Sequence, residues 1–166
     1  MSASLRVRIR LEWAEIMLAV SAGTMRRIFA LKNGKCGVYG ASDEAAWDND
    51  INGAIAELAC AKWANVFWNG TVGITTLPDV GKWQIRSKVI DGHRLVVRPT
   101  DADRQIFISA LVQLPIVSLC GWLFGADAKN AHWLKEYPPK PPMYFVEDQY
   151  LQPMETLRFP CKEAAE

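Results

Sequence analysis

A chain of 166 residues, half of them apolar, is long enough to bury one core and too apolar to stay unfolded. Nineteen Lys and Arg against eighteen Asp and Glu leave a net charge of +1, so overall charge selects no polyanionic partner and any nucleic-acid contact must come from a local basic patch. The four cysteines, Cys36, Cys60, Cys120 and Cys161, form no C-x-x-C pair, which argues against a structural zinc site; Cys60 and Cys120 lie in apolar surroundings and read as buried free thiols. No apolar run reaches the roughly 18 residues of a membrane span, and Met1 to Arg10 lacks the apolar centre of a signal peptide. A cytoplasmic protein is expected. The seven tryptophans are expected mostly in the core, although such rings can also stack on bases.

In chain order, Leu5 to Leu11 alternates Arg with apolar residues and predicts a short edge strand. Glu12 to Lys32 has helical spacing, with Gly23 as a point where it could divide into two helices. Asn33-Gly34-Lys35 is a turn, and Cys36 to Ala41 is irregular. Ser42 is a good N-cap, with Asp43 and Glu44 favouring the dipole of a helix running to about Asn65. That helix carries an apolar stripe, Trp47, Ile51, Ile55 and Leu58, and a face of small residues, Gly53, Ala54, Cys60, Ala61 and Ala64.

Val66 to Asp79 reads as loop with one short strand around Val72 to Thr75, and Asn69-Gly70-Thr71 as a turn. Strands follow at Trp83 to Ile90, Arg94 to Arg98, Gln105 to Val112 and Ile116 to Leu123, with Asp91-Gly92 as a hairpin turn between the first two. Ala131 to Tyr137 is expected as a short helix, Pro138 to Pro142 as an extended spacer and Met143 to Val146 as a last strand, with a short helix or turn near Gln149. The pattern predicts an α+β fold: a single central mixed, mostly antiparallel sheet flanked by helices. It is expected as one domain over 1–166, with an N-terminal strand and helices over 5–32, a core over 42–152 and a loosely ordered tail over 154–166.

One group of residues carries chemistry. Glu57 projects from the small-residue face, where a helix can approach a sheet closely and a carboxylate is buried. Asp79 follows Pro78 just before a strand on which Gln84 and Arg86 share a face. If the Glu57 face packs on that side, the four converge. Asp79, the Ile85 backbone carbonyl, the Gln84 amide and Glu57 could then hold a divalent cation, Mg2+ or Mn2+, over a phosphodiester. Arg86 would stand beside the nucleophilic water; arginine stabilises phosphate charge but accepts protons poorly, and Lys88, one pleat on, is a substitute. The same residues allow a structural arrangement, with Glu57 paired to Arg86 and Asp79 capping its turn. Rows of cations, Arg6, Arg8 and Arg10 on one strand and Arg94 and Arg98 on another, could meet phosphates or simply face water, and Lys88 joins Arg94 and Arg98 as a candidate DNA contact. His93 and His132 are isolated, and Asp101 and Asp103 read as a solvated turn.

These residues also carry a resemblance. Gly53-Ala54-Ile55-Ala56-Glu57-Leu58-Ala59, Pro78-Asp79-Val80-Gly81, Gln84-Ile85-Arg86, Leu95 to Asp101, Gly121-Trp122 and Tyr144-Phe145-Val146 resemble a group of small bacteriophage and prophage proteins, from Leu11 to Pro153. The pattern looks like the PD-(D/E)XK, restriction-endonuclease-like superfamily. That resemblance implies a magnesium-dependent deoxyribonuclease in a bacterial host, with Glu57, Asp79, Gln84 and Arg86 at the matching positions and DNA as partner. Gln84 stands where the superfamily has an acid and Arg86 where it has a lysine. A nuclease-like framework acting without catalysis, as a nucleic-acid or protein-binding module or as a phage assembly accessory protein, is the alternative. A homodimer contact involving the tryptophans or the proline spacer is a further candidate.

Overall fold

The computed structural model describes residues 6–35, 43–74, 77–138 and 140–158. Its elements are β1 (Val7–Arg10), α1 (Trp13–Lys32), α2 (Asp43–Ala64), β2 (Trp83–Lys88), β3 (Leu95–Val97), β4 (Ile106–Gln113), β5 (Ile116–Phe124), the one-turn α3 (Gly125–Ala128), β6 (Leu134–Tyr137) and β7 (Lys140–Val146). The α+β class holds. The strands form two sheets rather than one: a four-stranded mixed sheet ordered β1-β5-β4-β2 and a three-stranded antiparallel sheet ordered β3-β7-β6.

The four-stranded sheet is the centre of the molecule, because both of its faces are apolar. Trp83, Ile85, Ile108, Ala110, Val112, Val117 and Leu119 pack under α2. Phe107, Leu111, Cys120 and Leu123, on the other face, pack against Leu95, Val97 and Val146 of the three-stranded sheet. The α2 helix is buried continuously from Ala54 to Ala61, since it has the sheet on one side and α1 on the other. The small residues noted along it are what allow both approaches.

Several expectations are corrected. Helix α1 is continuous through Gly23, which is a crossing point rather than a break: a Cβ there would lie 2.5 Å from the Ile51 Cα of α2. Asp91-Gly92 turns the chain, with Gly92 at φ +85°, yet forms no hairpin. β2 instead runs parallel to β4, and β3 belongs to the other sheet. No strand forms over Val72 to Ile74, and Thr75 lies outside the described residues. The expected helix at Ala131 to Tyr137 is a single 3-10 turn, Ala131–Trp133, followed by β6. Pro141 and Pro142 sit within β7, where the register with β6 slips; proline has no N–H for the ladder, and the slip accommodates it.

The tail is anchored at its start, with Met154 and Leu157 buried in the core and Gln152 exchanging backbone hydrogen bonds with Trp122. Gly121, at φ +146°, permits this, because a Cβ would lie 2.6 Å from the Leu151 Cβ. The segment Cys36 to Ala41, the Ser42 cap and residues 159–166 lie outside the described residues. Cys60 and Cys120 are buried free thiols, as expected.

Candidate functional site

Glu57 is buried at 5% exposure in the middle of α2. Its partner is Arg26 of α1, not Arg86. The guanidinium closes a two-pronged pair, Nη1 to Oε1 at 2.6 Å and Nη2 to Oε2 at 2.7 Å. The Trp68 indole N–H also donates to Oε2, at 3.1 Å. Arg26 Nε donates to the Thr71 carbonyl at 2.9 Å, which ties the loop after α2 back onto α1. The arrangement follows from Gly23: where two helices cross closely, a long side chain one turn further along reaches the neighbouring helix. Burial disfavours the Arg26 charge, but the Glu57 pair outweighs it and leaves the guanidinium pKa above its ordinary value.

Asp79 lies in the turn before β2. Its N–H donates to the Trp83 carbonyl, and its Oδ2 accepts the Ile85 N–H at 2.7 Å. β2 is an edge strand, so this carboxylate satisfies a backbone donor that has no neighbouring strand. It is therefore the Ile85 amide, rather than its carbonyl, that meets Asp79. Burial pushes the Asp79 pKa up to about 6, with the nearby Glu57 charge adding to the effect and the Ile85 N–H, Arg86 and Arg26 opposing it. The Cys60 thiol is pushed up to about 12 by burial, with Asp79 and Glu57 adding, so it stays protonated and inert at neutral pH.

Glu57 and Asp79 are thus brought within electrostatic reach of one another, but the four-residue convergence does not form. The Trp83 and Ile85 face of β2 packs under α2, so Gln84, Arg86 and Lys88 project to the opposite side of the sheet. Arg86 pairs with Asp101 Oδ2 at 3.1 Å and stacks over Phe107, its carbon centre 5.1 Å from the ring centroid. Asp101 also accepts the Arg98 N–H, so it is a structural hub and not a solvated turn residue.

Lys88 is buried, with its ammonium on Asp148 Oδ1 at 2.6 Å and the His93 carbonyl at 2.7 Å. No face of it is open to a phosphate. Arg94 is exposed and pairs with Glu147, while Arg98 is half-buried.

A hard divalent cation takes about six or more oxygen ligands. Here both Glu57 oxygens are committed to Arg26 and Trp68, and one Asp79 oxygen to Ile85. Among the described residues, no three His, Cys, Asp or Glu side chains converge as metal ligands would. No described helix is long and apolar enough to cross a membrane. Sequence reasoning missed Arg26, although its place one turn after a mid-helix glycine marks it as facing the crossing helix. Comparison with known proteins finds no matching family model, curated protein or solved structure.

Proposed function

We propose that this chain is a non-catalytic protein-binding module, in which a guanidinium fills the place that a nuclease-like site would give to a metal ion. The observation that carries this reading is the two-pronged Arg26–Glu57 pair, completed by Trp68. A divalent cation could reach Glu57 only by displacing a buried charge-assisted pair, which leaves a guanidinium stranded. A protein partner is favoured over DNA because three of the cations expected to meet phosphates are already paired, Arg86 with Asp101, Lys88 with Asp148 and Arg94 with Glu147. Arg6, Arg26, Arg27, Lys62, Arg86, Lys88, Arg94 and Lys129 all have carboxylate partners within 4 Å.

The second reading is metal-dependent hydrolysis of DNA by a PD-(D/E)XK-like site, with Mg2+ or Mn2+ held by Asp79 and Glu57. One observation favours it: burial and the neighbouring Glu57 charge push the Asp79 pKa up, and a bound cation would relieve both effects. Incubation with linear, branched and single-stranded DNA in Mg2+ or Mn2+ separates the two. The expected result is no cleavage by the wild type or by Asp79→Ala. Metal-dependent cleavage by the wild type that Asp79→Ala loses would establish the nuclease.

A further inference from the structure

We infer that the outer face of α1 is a homodimer interface, in which two copies of this chain pack α1 against α1 in antiparallel fashion. The inference does not depend on what occupies Glu57. Helix α1 packs chiefly on α2, which leaves nearly half of its circumference open. That open arc is apolar. Trp13, Met17, Ile28 and Leu31 fall along one row at helical spacing, and Leu18, Met25 and Phe29 along a second row beside it. All seven are exposed, Trp13 at 68% and Met17 at 70%. Ala14 and Ser21 lie between the rows and leave a shallow trough, the shape into which a ridge of another helix seats. Soluble monomers rarely leave so continuous an apolar stripe open.

A second copy fits this face better than other occupants do. The seven side chains together expose on the order of 800 Å2, about one partner's share of a standard interface. The arc carries no carboxylate and a single cation, Lys32 at its end, so folding the face onto its own copy meets no row of like charge. A two-fold axis near Ser21 sets Trp13 of one copy toward Leu31 of the other and opposes the helix dipoles. A bilayer surface is the weaker occupant, because a membrane-lying helix is flanked by free Lys and Arg. The arginines of α1 are turned inward, Arg26 onto Glu57 and Arg27 onto the Lys35 carbonyl and Asp50.

Sedimentation equilibrium of the full chain at micromolar concentration tests the inference. The wild type is expected at twice the chain mass of 18.6 kDa. Met17→Glu, at an exposed position, should keep the wild-type circular dichroism and weaken dimerisation by at least about thirtyfold, the loss of a hot-spot contact. Ser21→Cys should oxidise to a covalent dimer faster than Glu136→Cys, a substitution at an exposed position away from α1. A monomeric wild type overturns the inference, whether or not it binds phosphatidylcholine or phosphatidylglycerol vesicles. A dimer that Met17→Glu leaves intact overturns the assignment of the interface to α1. Neither outcome bears on cation binding at Glu57, so this inference and the proposed function fail separately.

Discussion

The central sheet has a charge cluster on each side, and the two are built differently. On the helix side, Glu57 takes both prongs of Arg26, while neighbouring Asp79 has a backbone N–H as its hydrogen-bond partner. On the other side, Asp148 lies between Lys88 at 2.6 Å and Arg6 at 3.2 Å, and Arg6 also grips Asp91 at 2.7 Å. The second cluster is balanced, with two cations for two carboxylates, and Asp148 keeps a cation if either Lys88 or Arg6 is removed. The first holds its second carboxylate against an unfavourable field. The pKa values record the contrast: Asp79 is pushed up to about 6 by burial and by Glu57, whereas the Arg6 hydrogen bonds pull Asp91 below its ordinary value.

The largest expected effect falls on the helix side. Glu57→Gln leaves the Arg26 guanidinium buried against a neutral amide and should destabilise the fold by about 3–5 kcal/mol in thermal or urea unfolding. Lys88→Met should cost less, about 1–3 kcal/mol, because Arg6 still compensates Asp148. Equal losses from the two substitutions would remove the distinction between the clusters.

Asp79→Asn has the opposite sign and depends on pH. The folded pKa of Asp79 lies above its ordinary 3.8, so its contribution to stability is complete below about pH 4 and is lost as pH rises through about 6. Asparagine keeps an acceptor for the Ile85 N–H without the charge. The variant should match the wild type near pH 4 and exceed it by about 1–3 kcal/mol at pH 8, the size of a two-unit shift reduced for partial solvation. Chemical denaturation across that range measures the gap. A variant less stable than the wild type at pH 8 would mean that the Asp79 charge is compensated.

Much of this was legible in the sequence. Periodicity located α1, α2, β4 and β5 nearly to the residue, and alternation marked β1 as an edge strand. The run of small residues correctly implied that Glu57 is buried. What escaped were choices made over long separations. Arg26 and Glu57 are 31 residues apart, and Gly23 signals close helix packing only once the crossing helix is known. The Asp91-Gly92 signal is local, whereas the pairing of β2 is set by Phe107 to Leu111 and by the burial of Lys88 on Asp148. The side of the sheet taken by Gln84 and Arg86 was readable in principle. Trp83 and Ile85 are the apolar face of that strand, and an apolar face is the one a helix covers. Placing α2 against the polar face is what made the four residues seem to converge.

The central claim is that Arg26, not a divalent cation, neutralises Glu57. The indole N–H of Trp68 reports on it directly, because that proton is donated to the same carboxylate. Its 15N–1H resonance, identified by loss in Trp68→Phe, can be followed as Mn2+ is added to millimolar concentration. The account predicts that the peak neither shifts nor broadens beyond the other tryptophan indoles. Selective broadening of the Trp68 peak at low Mn2+, abolished by Asp79→Asn, would contradict it and place a metal ion at Glu57.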